Sequence, residues 1–403
     1  MTDERVWLQS YPDGVPADID ASQYDSLVSL MEESFSKFAD RTAYSYMGQD
    51  IGYQETDVKS QALAAYFQSL GLEKGDRVAI MMPNVPQYPV AVAAVLRAGL
   101  VVVNVNPLYT PRELSHQLQD SGAKAIVIIE NFAVTLQKCI AETQVKHMVL
   151  CAMGDMLSFP KGALVNFVVR QVKGLVPEYQ LPGAVKFKRA LALGRQAVFT
   201  KPVVRSDDIA VLQYTGGTTG VSKGAVLLHQ NVIANLLQSE AWNDPVMKRV
   251  PAHEQPTSVC ALPLYHIFAF TVNMMLGLRT GGKNILIPNP RDLPAVLKEL
   301  SQHTFHSFPA VNTLFNGLAH HPDFGKVNWS NLKVSVGGGM AVTSAVAALW
   351  LEKTGCPICE GYGLSETSPS VSCNPTTSTQ FTGTVGVPLP STFMKLLDEE
   401  GQE

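Results

Sequence analysis

The chain reads as an α/β protein in which mostly parallel sheets are layered with helices and a small β-rich segment begins at the C-terminal end. Short Val/Ile-rich runs such as RVAIMM, GLVVVNVNP and AKAIVIIEN alternate with helical patterns such as QALAAYFQSLG. Strands buried on both faces of a parallel sheet lose the apolar/polar alternation of half-exposed ones, and these runs lack it. The runs close on Gly, Pro or Asn, which end regular structure. Hydrophobic residues make up 46% of the 403 residues and charged ones only 16%, below the ~25% typical of soluble domains, so an extensive interior is expected.

In chain order, residues 24–98 alternate strands and helices, and GLVVVNVNP, HQLQDSGAKAIVIIEN and VKHMVLC continue the rhythm. Residues 153–202 are less regular. Within them KGALVNFVVRQVKGLVPEY sets Leu164, Val168, Val172 and Leu175 at helical spacing, with Arg170 and Lys173 nearby. A helix covering the core with that stripe is the expected reading, and docking onto a membrane surface is the alternative. After Asp207 the segments IAVLQY, SVCALPL, KNILIPN, HSFPA, KVSVGGG and PICEGYG read as strands. FMKLLDEEGQE reads as a strand entering a turn with no returning strand, so the chain is expected to stop inside a larger protein. The expected division is a first α/β unit over 1–205 with an amphipathic insertion near 155–190, a second over 206–385, and the start of a β-rich unit over 386–403.

A formal net charge of -4 with no long Lys/Arg run leaves no footprint for nucleic acid. The N-terminus MTDERVWLQS lacks an apolar secretory core, and six scattered cysteines do not resemble a disulfide framework, so a reducing cytoplasm is expected. Two apolar stretches, PVAVAAVLRAGLVVVNV and VCALPLYHIFAFTVNMMLGL, are interrupted by Arg97 and Gly99 and by Pro263 and His266, and read as buried globular elements. Cys356 and Cys359 read as core thiols, and His303, His306, His320 and His321 lack the companions of a metal site.

The stretch YTGGTTGVSKGA, at 214–225, carries the chemistry. Gly216, Gly217, Gly220 and Gly224 let backbone amides converge, Thr215, Thr218, Thr219 and Ser222 add hydroxyls, and Lys223 adds a charge. Such donors suit phosphate oxygens. Val221 and Ser222 separate Gly220 from Lys223, which departs from the P-loop spacing of nucleotide hydrolases. A flexible glycine linker is the bland alternative.

With its neighbours the stretch resembles the phosphate loop of the adenylate-forming superfamily of acyl-CoA ligases, luciferases and peptide-synthetase adenylation domains. SVGGGMAV looks like that family's adenine-side turn and EGYGLSET like its nucleotide and metal motif, in family order with LRAGLVVVNVNPLYTPREL upstream and GTVGVPLP downstream. VWLQSYP, ALPLYHIFAFT and NPRDLPAVLKEL are similar to bacterial long-chain fatty acyl-CoA ligases. The resemblance implies the large N-terminal domain of that fold, with ATP, CoA and a long-chain fatty acid as substrates and Mg2+ as the ion. The carboxylate attacks the α-phosphate to release pyrophosphate, and the CoA thiol then displaces AMP.

By the same resemblance, residues 214–224 bind ATP together with Gly338, Gly339, Glu360, Gly361, Tyr362, Gly363, Ser365 and Glu366. Glu366 and Thr215 hold the metal, with Thr219 as a further donor, and a helix cap is the alternative for Glu366. Tyr362 offers a face to adenine, against a purely structural role. Ser365 stands where the family commonly has Thr. His266 lies beside the acyl carboxylate, against a core histidine, and Phe268 and Phe270 are candidate tunnel walls. A ribose-binding aspartate, a hinge and a mobile C-terminal domain with a catalytic lysine are expected beyond the region resembled, so a chain without them is expected to be severely impaired. An aryl or medium-chain ligase and a noncatalytic ATP/lipid-binding module remain alternatives. Peripheral contact with the cytoplasmic face of a membrane and a homodimer are the further partners considered.

Overall fold

A computed structural model describes residues 5–215 and 221–401. In chain order the strands are β1 (Thr42–Tyr46), β2 (Gln49–Gly52), β3 (Arg77–Met81), β4 (Val101–Asn104), β5 (Ala125–Ile129), β6 (His147–Cys151), β7 (Val185–Lys186), β8 (Ile209–Thr215) and β9 (Lys223–Leu228). They continue with β10 (Thr257–Cys260), β11 (Lys283–Leu286), β12 (Ser307–Ala310), β13 (Val334–Gly337), β14 (Ile358–Gly363), β15 (Ser370–Cys373) and β16 (Val387–Pro388).

Two sheets result. One runs β7-β6-β5-β3-β4-β8-β9 and is parallel except for the β8/β9 pair. The other runs β16-β15-β14-β13-β12-β10-β11-β1-β2, parallel from β14 to β1 and antiparallel at both ends. The six strands expected from the sequence between Asp207 and Gly363 form. The expected division at 205/206 does not follow the sheets: β1 and β2 belong with the strands after Thr257, and β8 and β9 complete the first sheet. Parallel strands pair across long crossovers, so sequence position does not fix sheet membership.

One core cluster holds side chains of both sheets, among them Ile80, Val102 and Val127 from the first and Tyr44, Cys260 and Leu286 from the second. The helix Gln87–Arg97 is buried along its whole length within it. Burying an arginine requires a partner, and Arg97 is ion-paired to Asp57 and donates to the Ser60 hydroxyl. Its cation also stacks over the Phe35 ring at 5.0 Å. Both apolar stretches that approach membrane-span length are thus internal, and among the described residues no helix is long and apolar enough to cross a membrane.

The second sheet has its own aromatic core, in which Phe308, Phe315, Phe324 and Trp329 surround Trp350 at 4.8–5.9 Å between ring centroids. All six cysteines are buried and unpaired. Cys356 and Cys359 bracket the start of β14 as core thiols, with burial raising both pKa values.

Two expectations are corrected. Phe393 to Leu397 lies outside any ladder, because an extended segment becomes a strand only where a neighbour pairs its amides. The helix Lys161–Phe167 and its π-helical continuation Val168–Val172 do form, but the stripe faces outward. Leu164 is 62% exposed, Val172 67% and Leu175 52%, whereas Gly162 and Val169 are buried on the opposite side.

His229, at the start of the helix His229–Met247, is buried, and its Nδ1 accepts the Leu27 N–H at 3.1 Å. Burial disfavours the imidazolium and lowers the pKa to about 4. The unfolded chain takes up a proton near pH 6.5 while the folded one resists until about 4, so stability is present above pH 6.5 and is lost as pH falls through that window. Between pH 7 and 4 the protein is expected to lose roughly 3 kcal/mol more than a His229→Gln variant, read from urea unfolding midpoints. Equal losses would remove His229 as the cause.

Candidate nucleotide and acyl site

The β8/β9 hairpin positions the phosphate-loop flanks. Its ladder pairs Tyr214 with Gly224 and Thr215 with Lys223, and the Ser222 hydroxyl donates to the Thr215 carbonyl at 2.6 Å. Tyr214 is a base plate: its ring is buried in the core below, and its hydroxyl donates to Asp120 Oδ2 at 2.5 Å. Glycine at 224 keeps the strand clear of that ring, since a Cβ there would stand 3.0 Å from it, closer than most side-chain contacts. Thr215 faces a cavity, while Val221 and Lys223 are exposed and Lys223 has no ion pair among the described residues. Gly216, Gly217, Thr218, Thr219 and Gly220 lie outside the described residues.

The cavity measures about 760 Å³ and brings the other motifs to Thr215. Gly338 and Gly339, past the end of β13, line it together with Gly361, Tyr362 and Gly363 of β14, and with Ser365 and Glu366. Gly339 has φ +77°, a conformation open to glycine at little cost. A Cβ on Gly363 would meet the Pro369 carbonyl at 2.1 Å, so glycine there permits the tight return from β14 to β15. The turn Ser365–Thr367, fixed by the Leu364 N–H donating to the Thr367 hydroxyl at 2.9 Å, packs against β8 and β9. Tyr362 is 42% exposed and lines the cavity.

Glu360 sits differently. It is buried, and Oε1 accepts the Val342 N–H at 2.9 Å, so its carboxylate braces the glycine turn after β13 and does not line the cavity. Glu366 is exposed to the cavity, with no hydrogen bond or ion pair among the described residues. Thr215 and Glu366 present oxygen donors to one space, and no cluster of three His, Cys, Asp or Glu suited to a metal occurs among the described residues. That donor set fits Mg2+, which commonly takes one or two protein oxygens and completes its shell with phosphate and water.

His266 lies at the junction between the nucleotide end and an apolar chamber. Its Nδ1 accepts the Phe268 N–H at 3.3 Å, which leaves the proton on Nε2. The ring touches cavity solvent but is surrounded by protein, and this desolvation lowers its pKa, so it is a neutral N–H donor at pH 7. Phe268 walls the junction: a Cβ on Gly338 would approach its ring to 2.8 Å. Phe270 is corrected, since it is fully buried in the core, where the helical turn begun at Ile267 directs it.

The sequence reading missed most of the chamber, which is walled by Trp242, Met247, Val272 and Leu276 from the segments 229–247 and 270–280. No motif marks those residues, because a wall needs only size and apolarity. It also missed the buried amides that aim the site. Tyr88 donates to Asn104 Oδ1 at 2.5 Å, Asn104 Nδ2 to Gln213 Oε1 at 3.0 Å, and Gln213 Nε2 to the Tyr265 carbonyl beside His266 at 3.2 Å. Asn84 donates to the Cys260 and Leu262 carbonyls and accepts the Leu264 N–H, each at 2.8 Å, which fixes the PLYH loop. Buried polar residues in otherwise apolar runs were their signal.

A cavity that joins glycine turns, a threonine, the unpaired Glu366 carboxylate and an apolar wall, on this two-sheet fold, is the arrangement of an enzyme of the AMP-binding family. A profile of that family, described as AMP-binding enzyme, matches residues 31–403, and the chain belongs to it. The long-chain-fatty-acid–CoA ligase of Yersinia pestis is 51% identical over 401 residues, covering 99% of this chain and 71% of the ligase. That of Bacillus subtilis is 33% identical, covering all of this chain and 71% of its own length. Among solved structures, the anthranilate CoA ligase AuaEII in complex with anthranoyl-AMP superposes with TM-score 0.81 at 20% identity, covering 95% of this chain and 69% of that one. A long-chain-fatty-acid-CoA ligase of Archaeoglobus fulgidus gives 0.77 at 22%, covering 97% and 74%. At such identities these two support the fold alone.

Proposed function

We infer that the protein activates long-chain fatty acids with ATP, forming an acyl-adenylate that CoA converts to acyl-CoA. The observation that carries this is the continuity of the cavity, from Thr215, Tyr362 and Glu366 at one end to Trp242, Met247 and Leu276 at the other. Likeness to ligases named for long-chain fatty acids supports the choice of acid.

In the first step a carboxylate oxygen bonds to the α-phosphorus of ATP and pyrophosphate leaves with the electrons of the broken P–O bond. In the second the CoA sulfur, having lost its proton to solvent, bonds to the acyl carbon and AMP leaves with the electrons of the broken C–O bond. A carboxylate is a weak nucleophile, so the protein's task is to align it and to offset phosphate charge. Lys223 and the hydroxyls of the phosphate loop bind the phosphates, and Tyr362 stacks on adenine. The His266 Nε2–H orients the acyl carboxylate, and Phe268 separates the reacting end from the tail. Thr215 and Glu366 would hold Mg2+, which would supply charge neutralisation to the polyphosphate. ATP, CoA and six free buried thiols all fit the reducing cytoplasm as the place of action.

The test is calorimetric binding of non-hydrolysable acyl-adenylate analogues. The hexadecanoyl analogue is expected to bind at least ~10-fold more tightly than the octanoyl one, given ~0.8 kcal/mol per buried methylene before losses to chain ordering. Tighter binding of a benzoyl or octanoyl analogue would reassign the acid.

A further inference from the structure

We propose that the far end of the acyl chamber binds a second carboxylate, so that long-chain α,ω-dicarboxylic acids are substrates alongside simple fatty acids. The proposal rests on the acyl-activating reading and adds a site at the opposite end of the same cavity. Gly338 and Gly339 line the cavity just past the carboxyl end of β13, and strands β10 to β14 are parallel. The cavity is lined as well by Thr257 and Ser258 at the start of β10, Lys283 at the start of β11 and Ser307 at the start of β12. It therefore crosses the sheet from edge to edge, over about 13 Å for strands of four residues.

The amino edge is not what an alkyl terminus needs. Lys37, Lys248, Arg279 and Lys283 line this end, against Glu240 and Asp244. Arg279 is paired with Glu240 at 3.1 Å and Lys248 with Asp244 at 2.5 Å, which uses up both carboxylates. Lys37 lies over the Phe38 ring at 5.2 Å, and neither Lys37 nor Lys283 has an ion pair among the described residues. Their charges are felt nearby: Lys37 acts on Glu240, and Lys283 on His306 just before β12. A neutral donor completes the set, because the Ser258 hydroxyl accepts the Asn273 Nδ2–H at 3.0 Å while its own proton has no acceptor among the described residues.

Two unpaired ammonium groups and a free hydroxyl donor select an anion with acceptor oxygens. A carboxylate stranded in a closed apolar chamber would be rejected, since nothing there replaces its hydration. At the amino edge it meets cations and solvent, because Lys37 is exposed and Lys283 half-buried. The wall between, at Met247, Val272 and Leu276, is apolar, so the ligand must be charged at both ends and aliphatic in the middle. Length is selected too, because a chain whose first carboxylate is held beside His266 reaches the lysines only after crossing the sheet. The chemistry is unaltered: the carboxylate at the nucleotide end bonds to the α-phosphorus and pyrophosphate leaves, while the distal carboxylate makes and breaks no covalent bond.

The test is calorimetric binding of three non-hydrolysable acyl-adenylate analogues, carrying a hexadecanoyl chain, the same chain with an ω-carboxylate, and an ω-carboxylated decanoyl chain. The wild type is expected to bind the long ω-carboxylated analogue within about threefold of the hexadecanoyl one, and the short ω-carboxylated analogue at least ~10-fold more weakly than the long one, its charge stopping short of the lysines. Lys37→Gln/Lys283→Gln should weaken the long ω-carboxylated analogue about 10-fold, less in high salt, and leave the hexadecanoyl analogue within about twofold. Lys37→Arg/Lys283→Arg keeps both charges and should restore most of the loss. Rejection of the long ω-carboxylated analogue by more than ~10-fold in the wild type would overturn the proposal while the hexadecanoyl result leaves the ligase reading standing. An equal loss for both long analogues in the Gln variant would also overturn it, by making the lysines structural. Failure of the wild type to bind the hexadecanoyl analogue would overturn the acyl-activating reading and this proposal with it.

Discussion

Glu366→Gln is expected to lower ATP–pyrophosphate exchange by about 100-fold and to weaken the Mg2+ dependence of ATP binding, while the melting temperature stays within about 1 °C. The two halves have separate reasons. Glu366 is exposed to the cavity and has no partner among the described residues, so its removal breaks nothing that holds the fold. Of the three carboxylates that line the cavity among the described residues, Glu240 is ion-paired to Arg279 and Asp244 to Lys248, so Glu366 is the one left free for an ion brought in with ATP. Gln keeps the size and one acceptor oxygen but loses the charge, and a hard divalent cation responds chiefly to charge. Unchanged exchange together with unchanged Mg2+ dependence would take Glu366 out of the metal site. Loss of stability would mean that it serves as a structural cap.

Trp350→Ala is expected to destabilise the protein by about 3–5 kcal/mol, read as a fall in urea midpoint at an unaltered slope. Trp350 is fully buried, contacts four other aromatic rings and donates from Nε1 to the Ser335 hydroxyl at 3.0 Å. Ser335 lies on β13, two residues before its end, so the side chain supports the strand that leads to Gly338 and Gly339. Removing it leaves a cavity between stiff rings that cannot close around the gap. Trp350→Phe keeps most of the buried area and should cost less than half as much, with the lost indole donor accounting for about 1 kcal/mol. A loss below about 1 kcal/mol for Trp350→Ala would show that the cluster repacks.

The residues proposed for the nucleotide end stood out in the sequence because they fall in short contiguous stretches that resemble a family's motifs. Glycines that allow close backbone approach, a threonine hydroxyl and a lone carboxylate can be recognised wherever they fall, and the fold brings Thr215, Gly338, Gly339, Tyr362 and Glu366 to one cavity. Glu360 shows the limit of that reading. Within EGYG it belongs to the same short motif, yet its carboxylate turns to the Val342 N–H while Tyr362, two residues on, lines the cavity, a difference that strand alternation does not predict and that accompanies a register shift between Tyr362 and Gly363. Phe268 and Phe270 show the same limit in a helical segment, where a shift of two residues moves a side chain from the cavity wall to the core.

The sequence by itself determined the α/β class, most of the strands and the burial of both long apolar runs, because each is set by local composition and periodicity, and resemblance to a family singled out the motifs at 214–225 and 360–367. Which strands share a sheet, which residues wall the acyl chamber and which way the 161–172 helix faces were decided only by tertiary structure. The stripe Leu164, Val172 and Leu175 has the period of a core-facing surface, and periodicity records that apolar residues share a side without saying what covers that side. Val165 and Val169 on the inner side, and Gly162 against Gly154, took the place against the core, where a Cβ on Gly162 would meet the Gly154 carbonyl at 2.4 Å. The apolar row was thereby left on the outside.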